Sequence, residues 1–335
     1  MKLQTMTMLK RMMMANWLDS RWDALAVDPF RTVFLLCDAN HPLDFYIGRN
    51  PGQQRLLLLI SAEEPPAMRD MRAIQIRVFK RDDGKWSLLL TLEEESLTPM
   101  FSMLCDDLIE SSRNAGLQAE HSLSFVLKRL SSWRKLLERG LPNLLCESEI
   151  RGLCGELLFL RRTLSHMEKS DAVKAWVGPK RADQDFQFPD AAWEIKTIQP
   201  GADTITISSE SQLQTTARPV QLVVFELADS KSENENAFTL NMLIEDIRIR
   251  LSADHDAGEQ FEERLVAAGY LRRPEYDKPV LVERASMTFS VDPEFPRITG
   301  EMVALGISGV SYDLLLSACE RFRIHSLPST EQKEH

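Results

Sequence analysis

The chain has no pair of cysteines at Cys-x-x-Cys spacing and no His-x-x-x-His pair. Its five cysteines, Cys37, Cys105, Cys146, Cys154 and Cys319, are odd in number, widely spaced and mostly flanked by leucine. That argues against a zinc finger or a disulfide framework and makes buried thiols in a reducing compartment the default. The six histidines are scattered, so a histidine-centred metal site is unsupported. No stretch reaches the roughly 18–20 uninterrupted apolar residues of a membrane span, and a cytoplasmic protein without a membrane partner is expected. The start is rich in methionine (Met6, Met8, Met12, Met13, Met14) and carries Lys2, Lys10 and Arg11. It lacks a continuous apolar stretch and a small-residue cleavage site, so it reads as a frayed leader, or as sequence ahead of an internal start, rather than a signal peptide.

An excess of basic charge is also missing. The formal net charge is −10. Residues 1–140 sum to about +1 and residues 141–335 to about −11. A protein that grips nucleic acid unaided usually shows a basic surface. The imbalance implies weak intrinsic affinity, a narrow basic patch, or a partner that supplies the grip.

With 335 residues, the chain can build one large domain or two modest ones. Residues 33–92 read as β-rich. Strand candidates are Thr32 to Cys37, Arg55 to Ser61, the alternation Ile74, Ile76, Val78, and Trp86 to Leu90 after a hairpin turn at Asp82-Asp83-Gly84. Helical patterns follow at about 99–112 and 123–137, the second closed by Gly140-Leu141-Pro142. A domain boundary falls there, dividing a β-rich domain with two helices (1–142) from a second domain (143–335). The second opens with a helix at about 147–165. Strands are expected near 185–188, 192–198, 204–207 and 220–227, helices at about 238–251 and 259–268, and strands near 280–289 and 310–315. Val220 to Phe225 is nearly continuous in apolar residues, as in a strand covered on both faces. The fold class is therefore α/β, with an α+β front domain and a central mixed β-sheet flanked by helices.

The segment that carries chemistry is Trp193-Glu194-Ile195-Lys196-Thr197. A strand has period two, so Glu194 and Lys196 share one face while Trp193, Ile195 and Thr197 take the other. An acid-x-Lys triplet alone means little; Asp83-Gly84-Lys85, Asp229-Ser230-Lys231 and Glu331-Gln332-Lys333 also occur, in a turn, a polar loop and the tail. Only Glu194-x-Lys196 lies in a strand-like run with a second acid, Asp185, on the preceding strand. The bland alternative is a solvated Glu/Lys pair on an edge strand. Glu156 shares a helix face with Leu153, Phe159 and Leu160, which is costly unless a cation meets it or it reaches solvent at the stripe's edge. Gly152 and Gly155 weaken that helix by about 1 kcal/mol each and suggest close approach to a strand or substrate.

In this order (helix Glu156, strand Asp185, strand Glu194-x-Lys196, further strand) residues 147–227 resemble the PD-(D/E)XK nuclease superfamily, which implies a restriction-endonuclease-like core. Gln184 stands where the family name has proline. Asp183 and Asp190 are rivals for the motif aspartate; Asp185 heads the alternation with Phe186 and Phe188. Over roughly residues 15–325 the chain also resembles a bacterial family of PD-(D/E)XK members found with phage-defence and restriction gene sets.

The resemblance implies a Mg²⁺- or Mn²⁺-dependent DNA endonuclease with catalytic residues Glu156, Asp185, Glu194 and Lys196, the metal held by Asp185, Glu194 and the Ile195 carbonyl. Ser208, Ser209 and Gln212 then fall at the start of a following helix. Serine there caps a helix by default, while Gln212 could contact a phosphate or brace the site. Lys180 and Arg181 could reach the substrate backbone, against the plainer reading of a solvated loop pair. Implied partners are DNA, other proteins of a defence operon, and a second copy of the chain, since many such nucleases pair to cut both strands. The competing readings are an interaction or DNA-binding module on the same fold without turnover, and an unrelated α/β ligand-binding protein.

Overall fold

Alternating apolar residues build the first sheet. The structure, a computed structural model, describes residues 17–324 apart from 72, 114–118, 140–143, 181, 216–217 and 308. The Met-rich start and the expected helix stop at Gly140-Leu141-Pro142 lie outside the described residues. The chain forms two compact units. One comprises the described residues of Met1–Asn143 with Leu251–His255 and Leu271–Glu275; the other comprises those of Leu144–Arg250, Asp256–Tyr270 and Tyr276–His335.

In the first unit, helix α1 (Trp17–Ala24) precedes β1 (Val33–Leu36), β2 (Asp44–Arg49), β3 (Arg55–Ser61), β4 (Ile74–Lys80) and β5 (Trp86–Leu92). The strands form one antiparallel sheet in the order β1-β2-β3-β5-β4. Phe45, Ile47, Leu57, Leu59, Leu88 and Leu90 are buried in one core with Trp22 of α1. Two helices, α2 (Thr98–Arg113) and α3 (Ala119–Arg139), supply Phe101, Leu104, Val126 and Trp133 to that core. Asp107 is fully buried, where a lone charge would be costly. It accepts from Arg129 Nε (2.7 Å) and Nη2 (2.6 Å) and from Trp133 Nε1 (2.6 Å), which joins α2 to α3. The hairpin turn stands as expected, with Gly84 at φ +83°. Strand β2 was not anticipated.

The second unit begins with α4 (Glu147–Thr163) and α5 (Lys169–Ala175). Next come β6 (Phe186–Gln187), β7 (Ala192–Ile198), β8 (Thr204–Ile207), β9 (Val220–Asp229), α6 (Leu240–Leu251), α7 (His255–Ala267), β10 (Leu281–Val291), β11 (Tyr312–Leu315), α8 (Leu316–Cys319) and β12 (Arg323–Ile324). The main sheet runs β12-β10-β9-β7-β6 and is mixed: β7 and β9 are parallel, the other pairs antiparallel. This is the expected α/β class with a central mixed sheet. Strand β9 is its middle strand, which explains its continuous apolar run.

The crossover from β7 to β9 differs from the expectation. Among the described residues it contains β8, paired with β11 in a separate two-stranded sheet, and then a turn at 210–213, with no helix. Cys146 also departs from expectation: it is exposed, and the other four cysteines are buried.

Gly155 shows why α4 carries a glycine. A Cβ there would lie 2.5 Å from Thr197 Cγ2 and 3.4 Å from Ile195 Cγ2, so the helix axis can approach β7 only without one. Phe159 completes the contact, its ring centroid 5.2 Å from that of Trp193. Gly152 has no atom within 4 Å of its would-be Cβ, so close approach does not account for it.

Candidate functional site

The site grows from the free edge of β7. Strand β6 is two residues long and pairs only Phe186 with Trp193 and Gln187 with Ala192. Beyond those pairs the β7 backbone on that side needs another partner. The Ile195 N–H donates to Asp185 Oδ2 at 2.8 Å. Asp185 thus stands one residue before β6, not within a strand as the sequence suggested.

Period two on β7 works as expected. Trp193 and Ile195 lie on the buried α4 side, and Glu194 and Lys196 project from the other face. Glu194 is 1 % exposed. Lys196 Nζ lies 3.0 Å from Glu194 Oε1 and donates to Gln212 Oε1 at 3.1 Å. The same Gln212 oxygen accepts from the Ser208 N–H at 2.8 Å. Glu194 Oε2 is buried with no hydrogen-bond partner.

The third acid comes from α4. Glu156 Oε2 accepts from Trp176 Nε1 at 2.6 Å. Trp176 bridges to Phe186, and the Val177 and Gly178 N–H groups donate to the Asp185 carbonyl at 2.8 and 2.9 Å. A Cβ on Gly178 would lie 2.7 Å from Asp185 Oδ1 and 3.1 Å from Glu156 Oε2, so both oxygens border one small volume.

Three carboxylates therefore share one ammonium. Burial, with Asp185 adding to it, pushes Glu194 well above the ordinary carboxylate range; Lys196 opposes this and Glu156 reinforces it. Burial also lifts Asp185, to about 6, against the Ile195 N–H and Lys196. Glu156 is raised by burial and then by Asp185, and the Trp176 N–H and Lys196 pull it back. A cluster short of positive charge either takes up protons or recruits a cation.

The residues fit a hard divalent ion. Oxygen donors are what Mg²⁺ and Mn²⁺ prefer, one buried oxygen lacks a partner, and Gly178 leaves a cradle that a Cβ would fill. The acids do not close into a cage: among the described residues, no group of three or more His, Cys, Asp or Glu side chains is gathered as a metal cluster.

Of the residues singled out in the sequence, Glu156, Asp185, Glu194, Lys196, Ile195 and Gln212 come together. Asp183 and Asp190, the rival aspartates, are exposed. Ser208 is exposed and contributes its N–H to Gln212. Ser208 and Gln212 do not begin a helix; Ser208 precedes the turn at 210–213 and Gln212 lies within it, its side chain folded back onto the Ser208 N–H. Lys180 is exposed at the end of a short 3₁₀ turn. Arg181 lies outside the described residues.

Two contributors were missed. Trp176 and Gly178 sit outside every motif, and only their distance from the strands in sequence hid them. Gln184, noted only for not being proline, donates from Nε2 to the Ser211 and Gln212 carbonyls at 3.0 and 3.3 Å, bracing the turn that presents Gln212.

No helix among the described residues is long and apolar enough to cross a membrane. Comparison with curated proteins and with solved structures returned no significant match. A family model described as "Putative PD-(D/E)XK family member" (DUF4420) matches residues 18–317. The match spans most of both units, and the chain belongs to that family.

Proposed function

We propose that this protein is a metal-dependent DNA endonuclease that hydrolyses phosphodiester bonds, acting as the cutting subunit of a bacterial restriction or phage-defence system. The observation that carries this reading is the buried, unpartnered Glu194 Oε2 in a cluster of three acids around one lysine. A purely structural Glu–Lys pair would have no need of Asp185 and Glu156 beside it, since each added carboxylate weakens the cluster in the absence of a cation.

Asp185 and Glu194 would hold a Mg²⁺ or Mn²⁺ ion together with the Ile195 carbonyl. When bound, such an ion lowers the pKa of a coordinated water and neutralises charge on the scissile phosphate. Lys196 is oriented by Glu194 and Gln212, which engage two of its three N–H bonds. The third is left to orient the attacking water or to stabilise charge on a phosphate oxygen. Glu156, held by Trp176, balances Lys196 from the helix side.

The acidic balance of residues 141–335 favours a second reading, a module of the same fold that binds a partner or DNA without cutting. The same balance fits a nuclease whose grip on DNA comes from residues 1–142, from operon partners or from a second copy. Cleavage of supercoiled plasmid with Mg²⁺ or Mn²⁺ separates the two. The endonuclease reading requires cutting by the wild type that is lost in Asp185→Ala and in Lys196→Ala. Folded protein that cuts nothing, alone or with its operon neighbours, supports the binding module.

A further inference from the structure

We propose that Trp176–Gly178 is the positioning element of the acidic site, holding Glu156 and Asp185 apart and keeping open the space between them. The proposal rests on the metal-site reading above.

Three observations support it. Trp176 is fully buried, and its ring lies 5.9 Å from that of Phe261. Packing therefore fixes the direction of its N–H, and an indole can only donate. That N–H engages Glu156 Oε2 at 2.6 Å, the same oxygen that borders the gap toward Asp185 Oδ1. The next two backbone N–H groups both donate to the Asp185 carbonyl, so one segment sets the position of both acids.

Gly178 gives the segment its second role. Its backbone does not require glycine, because it is not among the residues with positive φ. The demand is steric and comes from the two carboxylates: a Cβ would sit 2.7 Å from one oxygen and 3.1 Å from the other. A side chain there would fill the gap in which two oxygens face each other. Trp176 is therefore a positioning residue and Gly178 a spacer; neither touches the reacting atoms.

The test uses the full chain and Mn²⁺ alone, with affinity read by calorimetry and by the decrease in free Mn²⁺ electron-spin resonance. Trp176→Phe keeps an aromatic ring against Phe261, removes the N–H and leaves a small cavity. Gly178→Ala fills the gap. Both are expected to weaken Mn²⁺ binding by roughly 10–100-fold, Gly178→Ala by crowding the Asp185 ligand and Trp176→Phe by releasing the Glu156 carboxylate beside it. Trp176→Phe also lowers the metal-free melting temperature, because Glu156 Oε2 loses its donor, and affinity is read well below that temperature. If Gly178→Ala fails to fold, Trp176→Phe decides. Wild-type affinity in folded Trp176→Phe, with any loss confined to metal-free stability, overturns the proposal and leaves the metal site standing. A wild type that binds no Mn²⁺ overturns the metal-site reading itself and this proposal with it.

Discussion

Asp185 meets Ile195 through the backbone: its Oδ2 accepts the Ile195 N–H at 2.8 Å, at the edge of a strand whose neighbour has already ended. The carboxylate does the work of a ladder carbonyl and brings a charge to the point where Glu194 and Lys196 leave the strand. Those two tasks can be separated. Asp185→Asn keeps an oxygen for the N–H and removes the charge. On the endonuclease reading it loses cleavage while melting near the wild-type temperature, whereas Asp185→Ala loses both. Plasmid cleavage and thermal melts on the three proteins check this.

Glu194→Gln should separate stability from metal binding. The substitution keeps an oxygen for Lys196 and removes a buried charge that the metal-free protein tolerates poorly. The metal-free variant is expected to melt about 2–4 °C higher, corresponding to ~1 kcal/mol. For the wild type, a divalent cation at about 100 times its Kd should add about 2.7 kcal/mol. That increment should vanish in Glu194→Gln. A wild type unaffected by Mg²⁺ and Mn²⁺ would count against the metal site.

Gln184→Ala removes a donor shared by two carbonyls of the Gln212 turn. The loss of those bonds should cost about 1–3 kcal/mol. Cleavage, measured well below the melting temperature, should fall by roughly 10–100-fold because Lys196 loses a fixed acceptor. Cleavage that follows stability alone would make Gln184 a packing residue only.

Gly155→Ala places a methyl 2.5 Å from Thr197 Cγ2. Overpacking of this kind costs about 1–3 kcal/mol. Adding Thr197→Ser removes the clashing methyl and should recover most of the loss. Denaturant midpoints for the two singles and the double give the coupling directly.

His41 supplies a pH signature remote from the carboxylate cluster. It is buried, its Nε2 lies 2.8 Å from the Ile109 carbonyl, and its Nδ1 accepts the Leu43 N–H at 2.9 Å. Burial, with Arg113 adding to it, holds its pKa below the ordinary value of 6.5, against the Ile109 and Leu43 carbonyls and Glu110. The unfolded chain then binds more protons than the folded one, so this contribution is present above pH 6.5 and is lost as pH falls below it. The slope cannot exceed about 1.4 kcal/mol per pH unit. In stability measured from pH 7.5 down to 5, His41→Gln should remove that part of the slope.

Much of the fold could be read from alternation and apolar runs. Val220 to Phe225 announced the middle strand, and Trp193 to Thr197 announced which side chains share a face. Strand β2 was missed because Gly48 and the charged ends Asp44 and Arg49 interrupt its alternation. Helix α5 has only seven residues, too few for a stripe to show. Ser208-Ser209 looked like a helix cap because the same short side chains serve turns equally well. Glu156, Asp185, Glu194 and Lys196 could be named because they carry unusual charge in apolar surroundings. Trp176 and Gly178 gave no such sign: a tryptophan and a glycine are ordinary residues until their neighbours in space are known.

The two-residue length of β6 reaches further than its size suggests. Were it to continue backwards in register, Gln184 would come opposite Ile195, and an ordinary carbonyl would claim the amide that Asp185 now holds. Asp185 would then stand opposite Glu194 and share its face, without the amide that now fixes its carboxylate, and the turn that Gln184 steadies would lose its anchor. An early stop to one edge strand is thus what allows a charged group to stand in for the sheet, and shifting that stop by a pair of residues would untie Asp185 from the Ile195 amide and release the Gln212 turn without altering any residue of the site.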